Sequence, residues 1–342
     1  SKFIAANFAQ ERIIRARVPV RVSYSGGGTD MSSYINVAES AVLSSTINKY
    51  CTSSILMRND NEVHIHSKDL GLKYSAKSFG EIQFGDELDL IKAAIKVMEP
   101  DFGFNIETFA EFSPGTGLGG SSALVVSVLG ALNYFRNERQ LDHYQLADLA
   151  YQVERIDMKI KGGWQDQYAT TFGGFNWIEF NKKEILVYPL QLQRGTQLEL
   201  EYNLMLFKLG GTRSSSEIQK KLLQKGTNKS YSEMLHIAKL MRDSLLKGRV
   251  KEFGDLLHES WELKKSINKK VSSEFVSNCY DTVKKLGALG GKLLGAGKTG
   301  YLLVYASPLY QKKITEELAK KGVIRENFKF SNMGLEVWST KR

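Results

Sequence analysis

The sequence predicts an α+β fold of two fused domains, and three observations lead to that expectation. The chain has 342 residues, 42% of them hydrophobic and 25% charged, which is long enough for two domains with a large core. Up to about residue 185, strand-like runs alternate with helical runs. From about Ser215 the pattern changes to long amphipathic helices. We therefore predict an N-terminal domain over residues 1–190 and a C-terminal domain over residues 191–342.

The individual elements follow from periodicity. In the first half, strand-like runs are found at 51–57, 62–67, 104–112 and 174–180. Helical runs are found there at 88–98, 122–135 and 144–161. In the second half, helices are predicted at 215–224, 230–247, 250–267, 274–286 and 309–321. Two further strand-like runs, 301–305 and 335–338, predict that a small sheet accompanies these helices.

Composition narrows the class of protein. The net charge of +10 suits a polyanionic partner, but the basic residues are spread over helices without a nucleic-acid-binding signature, so we expect small polyanions and no nucleic acid. The longest apolar run, 123–132, is too short to span a bilayer, and residues 1–17 lack a signal-peptide pattern. The lone cysteines Cys51 and Cys279 suit a reducing compartment. We expect a cytoplasmic protein without a membrane partner.

A glycine-rich loop between the strand-like run 104–112 and the following apolar helix is the most informative segment. Glycines let the backbone approach a ligand, and the first N–H groups of a helix attract an anion. The sequence therefore predicts a loop that binds the phosphates of a nucleotide. Its candidate binding residues are Pro114, Gly115, Gly117, Gly119, Gly120, Ser121, Ser122 and Ala123.

Three other interpretations of the glycine motifs remain open. The spacing from Gly115 to Gly120 matches a dinucleotide fingerprint, but the next segment is helical where that fold needs a second strand. The stretch from Gly291 to Thr299 is close to a Walker loop, but it has one residue too many between its glycines. The third interpretation is a structural glycine turn that binds no ligand.

Three motifs together resemble those of the GHMP kinases, a family that includes galactokinase, homoserine kinase and mevalonate kinase. The loop is similar to the family's Pro-x-x-x-Gly-Leu-Gly-Ser-Ser-Ala. The segment from Arg17 to Asp30 resembles the first family motif, and the segment from Gly291 to Gly300 resembles the third. The motifs occur in the family order and extend over nearly the whole chain. The resemblance implies a ribosomal-S5-like N-terminal half, a helix-rich α/β-sandwich C-terminal half and ATP with Mg²⁺ as cofactors.

The resemblance also implies catalytic roles. Ser122 and Glu154 would bind Mg²⁺, with Ser121 as the alternative to Ser122, and Glu154 has no cation one helical turn further on that would pair with it. Asp166 would be the catalytic base, although an aspartate in that setting also suits a helix cap. Arg21 corresponds to the arginine beside the base, where it would stabilise charge on the transferred group. Its alternative is an ordinary strand arginine.

The first motif indicates the acceptor. Galactokinases have Gly-Glu-His-Thr-Asp there, whereas this chain has a smaller Gly-Gly-Gly-Thr-Asp, which resembles the heptose-phosphate kinase branch. The resemblance implies phosphorylation of D-glycero-D-manno-heptose 7-phosphate at its anomeric hydroxyl, giving heptose 1,7-bisphosphate for nucleotide-activated heptose synthesis. The substrate-binding candidates are Gly27, Gly28, Thr29, Asp30, Arg213, Gly297 and Lys298.

The alternatives are a fucose or galactose 1-kinase, a decarboxylase relative, and a regulator that binds ATP and a sugar without catalysis. The partners expected are ATP and a small sugar phosphate, and a homodimer is left open. The chain departs from the family pattern at two places. The loop has one residue more before Ser-Ser-Ala, and Lys298 and Thr299 stand where glycines are usual.

Overall fold

The structure is a computed structural model that describes residues 3, 11–31, 35, 38–113, 115–137, 139–210, 228–295 and 300–342. The predicted helix at 215–224 lies outside these residues. Four of the predicted site residues also lie outside them, namely Pro114, Arg213, Gly297 and Lys298.

A mixed sheet forms the first layer, and within the described ranges it has nine strands. Their bounds are β1 Arg12–Ser25, β2 Ser40–Met57, β3 Val63–Ser67, β4 Leu72–Ala76, β5 Phe104–Ala110, β6 Phe175–Phe180, β7 Ile185–Pro189, β12 Phe330–Ser331 and β13 Glu336–Lys341. The main path runs β13-β1-β2-β5-β3-β4, and β6 and β7 branch from β2. Strands β3 and β5 pair in parallel, and the other neighbouring strands pair antiparallel.

Strand β1 was not predicted because its sequence hides the usual alternation. From Val18 to Ser25 every residue is buried, on both faces of the sheet, so apolar and polar positions do not alternate there. Pro19 also argues against a strand, but the pairing with β2 shifts its register between Pro19 and Arg21. Such an irregularity accommodates a proline. The strand carries Arg21 into the interior of the protein.

Helices cover one face of this sheet. They are α1 Asp89–Met98, α2 Gly120–Asn133, α3 His143–Tyr151 and α4 Gln165–Phe172. Helix α2 is buried on almost all sides. A helix that is apolar all round is typical of such a buried position between a sheet and other helices. Helix α3 continues into one π-helical turn, Gln152–Asp157.

A second, antiparallel sheet has the order β11-β8-β10-β9 in the part of the chain described. Its strands are β8 Leu204–Lys208, β9 Gly290–Leu294, β10 Tyr301–Tyr305 and β11 Ile324–Glu326. The accompanying helices are α5 Arg194–Asn203, α6 Asn228–Leu246, α7 Val250–Ile267, α8 Glu274–Lys285 and α9 Pro308–Ala319. No helix among the described residues is long and apolar enough to cross a bilayer.

The last strand corrects one expectation. The run at 335–338 was expected in the small sheet, but β13 pairs antiparallel with β1 of the large sheet, with Ile14 opposite Ser339. Strand β12 likewise pairs with β2. The free edge of β1 offers unpaired backbone groups, and the end of the chain covers it. The C-terminal end of the chain thus returns to the sheet of the first half. The domain boundary between residues 190 and 191 stays a prediction.

Candidate active site

The glycine-rich loop is held against the third glycine motif. Gly117 has a φ of +76°, and a Cβ atom on it would lie 2.0 Å from the backbone nitrogen of Gly295. No other residue type fits that contact, because the obstacle is backbone and the φ is left-handed. Gly119 precedes α2 with a φ of +73°, and no side chain in the described structure caps the helix N-terminus there. The loop therefore presents a helix N-terminus as a place for an anion.

Arg21 links this loop to Asp166. Its Nε and Nη2 atoms donate to Oδ1 of Asp166 at 2.8 and 2.7 Å, and its Nη1 atom donates to the Gly117 carbonyl at 2.9 Å. Both side chains are largely buried. Asp166 lies in the first turn of α4, and a Cβ atom on Gly119 would be 3.5 Å from its carboxyl carbon. The fold thus places the Asp166 carboxylate beside the glycine-rich loop, and the Arg21 guanidinium orients it.

Glu154 lies on the other side of the loop and is fully buried. The hydroxyls of Ser121 and Ser122 donate to its two carboxylate oxygens at 2.9 and 2.5 Å. Gln167 donates to the same carboxylate at 3.0 Å. Burial raises the pKa of Glu154, while the nearby positive charge of Arg155 opposes that increase.

Arg155 is a functional neighbour that the sequence did not indicate. Its Nη1 atom lies 3.4 Å from Oε2 of Glu154, and its Nε atom donates to the Gly163 carbonyl. In a regular helix the side chains that can pair with Glu154 lie three or four residues away, whereas Arg155 is the next residue in the chain. The π-helical turn in which both lie changes the usual side-chain directions. Gln165 and Gln167 were missed as well, although they flank Asp166.

The Glu154 cluster fits a magnesium ion by its chemistry. Its donors are a carboxylate and two hydroxyl oxygens, which are hard oxygen ligands. The Oε1 atom of Gln167 is also buried there and has no hydrogen-bond partner among the described residues. No group of three or more His, Cys, Asp or Glu side chains that could hold a metal occurs in the described part of the chain. Mg²⁺ does not need such a group, because it keeps several waters and shares phosphate oxygens.

Asp30 lies on the side of Asp166 away from Glu154, and only 2% of its surface is exposed. Its carboxylate accepts hydrogen bonds from the backbone N–H groups of Gly28 and Gln165 at 3.0 and 3.1 Å. Burial raises the pKa of Asp30, and the charge of Asp166 raises it further. The neighbouring Thr29 hydroxyl donates to the Gly26 carbonyl, so it stabilises the turn itself.

Polar atoms without partners surround this turn. The hydroxyl of Ser23 and the Oε1 atom of Gln165 are buried and unpaired among the described residues. A Cβ atom on Gly27 would lie 3.6 Å from the Gln165 amide nitrogen and 3.9 Å from the Ser23 hydroxyl. The glycine therefore leaves space beside two buried groups that can bind hydroxyls. A carboxylate that accepts two hydrogen bonds, as Asp30 does, retains further acceptor sites.

Those predicted site residues that the structure describes thus converge as three adjoining parts. The loop from Gly115 to Ala123 and the Glu154 cluster form one side, and the Asp30 turn with Gly27 and Gly28 forms the other. The Arg21–Asp166 pair lies between them. The arrangement can place a phosphate anion, an oxygen-bound cation and a hydroxyl around one carboxylate, which is the set of groups that phosphoryl transfer requires.

This fold and site define a kinase of the GHMP class. Residues 89–174 match the model described as GHMP kinases N terminal domain, and residues 241–324 match the one described as GHMP kinases C terminal. A relative from Campylobacter jejuni subsp. jejuni, D-glycero-alpha-D-manno-heptose 7-phosphate kinase, is 32% identical over 96% of this chain and 99% of its own length. The chain belongs to the GHMP kinase family, which implies ATP as a substrate.

Two further relatives support this placement. The crystal structure of a D-glycero-D-manno-heptose 1-phosphate kinase from Bacteroides thetaiotaomicron has a TM-score of 0.80 and 28% identity, covering 96% of this chain and 100% of that one. An L-fucokinase/L-fucose-1-P guanylyltransferase from Bacteroides fragilis is 28% identical over 86% of this chain but only 35% of its own length. The heptose-phosphate enzymes therefore match this chain from end to end.

Proposed function

We propose that this protein transfers the γ-phosphoryl group of ATP to the anomeric hydroxyl of D-glycero-D-manno-heptose 7-phosphate, giving heptose 1,7-bisphosphate and ADP. The observation that carries the proposal is the Arg21–Asp166 pair, which joins the phosphate loop to the Asp30 turn. The end-to-end similarity to a heptose 7-phosphate kinase supports the acceptor. The first relative is named a heptose 7-phosphate kinase and the second a heptose 1-phosphate kinase. Our choice of the 7-phosphate as the acceptor rests on the first.

The oxygen of the acceptor hydroxyl attacks the γ-phosphorus of ATP while the bond between that phosphorus and the ADP oxygen breaks. Asp166 accepts the proton of the hydroxyl in this step. Arg21 keeps the carboxylate in position and stabilises the charge of the transferred group. The N-terminus of α2 holds the remaining phosphates. Ser122 and Glu154, with Ser121 beside them, would hold Mg²⁺, which offsets the negative charge on the phosphates when it is bound.

Asp30, Ser23 and the side chain of Gln165 orient the sugar hydroxyls on the acceptor side. Gly27 and Gly28 give a seven-carbon sugar the space that a glutamate and a histidine would fill. Arg213, Gly297 and Lys298 remain predicted substrate contacts outside the described residues. A cytoplasmic location and a homodimer also remain predictions from the sequence.

Coupled ADP release with Mg-ATP tests this function, using heptose 7-phosphate, mannose 6-phosphate, fucose, galactose and mevalonate as acceptors. We expect turnover on heptose 7-phosphate and a kcat lower by roughly 10²–10⁴-fold in Asp166→Asn, because a catalytic base contributes that much. Asp157→Asn is the control, since Asp157 is an exposed carboxylate in the π-helical turn that precedes α4. Turnover on fucose or galactose alone would exclude the heptose acceptor. ATP binding without any turnover would indicate the regulator.

A further inference from the structure

Two lysines of the second half lie beside the acceptor side of this site. Lys264 is in the last turn of α7, which is tied to β1 by a 3.0 Å hydrogen bond between Ser260 and Ser25. Lys264 is one turn beyond Ser260, and Ser25 directly precedes the Gly26–Asp30 turn, so the lysine lies next to that turn. Burial lowers the pKa of Lys264, the charge of Asp30 raises it, and the charge of Arg21 lowers it.

Lys292 approaches the same place from β9. Its neighbour Leu293 belongs to the core between the second sheet and helices α8 and α9, so Lys292 points to the opposite face. Gly290 shares that face, and a Cβ atom on it would lie 2.4 Å from the Gly254 carbonyl of α7. Lys292 is therefore enclosed between β9 and α7 and is only 6% exposed.

Neither ammonium group has a hydrogen-bond or ion-pair partner within the described residues. Burial lowers the pKa of Lys292 well below its ordinary value, and the charges of Lys264 and Arg21 lower it further. The two nearby carboxylates are already engaged, Asp166 with Arg21 and Asp30 with two backbone N–H groups. Three cations from β1, α7 and β9 thus converge where the protein itself supplies too little negative charge.

An anion of high charge density would compensate this excess. Burying an unpaired ammonium costs several kcal/mol, so a ligand that pairs it gains much of that energy. A phosphate group carries up to two negative charges and three acceptor oxygens, and lysine binds it as a point charge. A sugar hydroxyl carries no charge and would leave both lysines uncompensated.

We propose that Lys264 and Lys292 form a phosphate-binding subsite on the acceptor side of the active site. The proposal rests on the proposed function in that the protein binds ATP and a phosphorylated acceptor. The phosphate has two sources in such a reaction, the acceptor's own phosphate group and the phosphoryl group in transfer. Both would bring a phosphate to the side of Arg21 that faces Asp30.

Calorimetric titration with inorganic phosphate tests the subsite directly. One titration uses protein with Mg²⁺ and a non-hydrolysable ATP analogue, and a second uses protein with Mg-ADP. The variants are Lys264→Met and Lys292→Met, which keep the length of the side chain and remove its charge. The control is Lys265→Met, because Lys265 lies on the same helix and pairs with Glu262 at 2.7 Å.

We expect phosphate to bind the wild type and the control, and to bind each of the two variants about 10- to 100-fold more weakly, since a hydrogen bond to a charged group contributes about 1.5–3 kcal/mol. Binding beside the ATP analogue would identify the acceptor's phosphate as the natural ligand, whereas binding only beside ADP would identify the transferred group. Equal phosphate affinity in all four proteins, or none in the wild type, would overturn the subsite.

Kinetics separate this proposal from the proposed function. With heptose 7-phosphate, an acceptor-phosphate subsite predicts a higher KM in both variants, and a subsite for the transferred group predicts a lower kcat. Lys292→Met should keep or raise the Tm, because it removes a buried amine whose charged form burial disfavours. Should that variant fail to fold, the half-buried Lys264 still provides the test. A wild type that binds phosphate through these lysines but turns over no heptose 7-phosphate would refute the acceptor and leave the subsite standing.

Discussion

The two sides of the active site differ in how completely the protein satisfies its own polar groups. On the side of the glycine-rich loop, both oxygens of Glu154 accept hydrogen bonds and Arg155 lies next to them, and only the Oε1 atom of Gln167 in this cluster is unpaired among the described residues. On the acceptor side, Ser23 and Gln165 keep buried atoms that are unpaired among the described residues, and the charges of Lys264 and Lys292 lie close to that of Arg21. Buried polar groups are normally bonded. The comparison teaches that the fold itself holds the Glu154 carboxylate in place on the loop side, while it leaves polar groups on the acceptor side open to the ligand that the proposed function requires.

Among the changes that test this comparison, the largest effect is expected from a substitution on the loop side. Glu154→Gln should lower kcat by roughly 10²–10³-fold, because the proposed Mg²⁺ site would lose its carboxylate charge. Raising the Mg²⁺ concentration should not restore it. The measurement is kcat against Mg²⁺ concentration, with Asp157→Asn as control. A variant that reaches the wild-type kcat at high Mg²⁺ would contradict this expectation, because it would show that the Glu154 charge contributes to Mg²⁺ affinity and not to the transition state.

A smaller effect is expected where the two sides meet. Arg21→Lys keeps the positive charge but loses the paired donors to Asp166 and the bond to the Gly117 carbonyl. We expect kcat to fall by about 10- to 100-fold, since a lysine cannot reproduce the planar guanidinium. Steady-state kinetics and a melting curve measure this. An unchanged kcat would show that the orientation of Asp166 does not depend on Arg21.

The packing of the loop gives a prediction for stability. Gly117→Ala should lower the free energy of unfolding by at least about 1–3 kcal/mol, because the left-handed φ strains alanine and the new Cβ meets the backbone of Gly295. Gly71→Ala is the matched control, with a φ of +67° and nothing within 4 Å of its Cβ position. Denaturant unfolding of both variants separates the two causes. Equal losses would mean that the contact with Gly295 contributes nothing.

The smallest effect concerns pH. The pKa of Glu154 is raised in the folded protein above its ordinary value of 4.5, so the folded state holds that proton more tightly than the unfolded chain. This contribution to stability is present below pH 4.5 and is lost as the pH rises through the raised pKa. Glu154→Gln should therefore gain stability relative to wild type from pH 4.5 toward neutral pH. A difference in unfolding free energy that stays constant over this range would contradict the raised pKa.

Local patterns predicted much of the fold. Helix α7 at Val250–Ile267 and strand β10 at Tyr301–Tyr305 have the predicted bounds, because amphipathic spacing and a short apolar run are local signals. Strand β1 escaped prediction because it is buried on both faces. The position of β13 in the large sheet escaped it too, because strand pairing is not a local property. The alternation of elements still indicated the right fold class.

The sequence by itself determined the family, and it predicted a phosphate-binding loop and the candidates Arg21, Asp30, Glu154 and Asp166, because each lies in a short motif whose residue types carry the chemistry. Only the tertiary structure decided which of them meet. Arg21 and Asp166 are separated by 145 positions in the chain, and the two lysines come from a helix without a motif and from the strand that begins the third glycine motif. Contacts of that kind arise from packing of distant elements, since no periodicity in the chain encodes which side chains share a cleft.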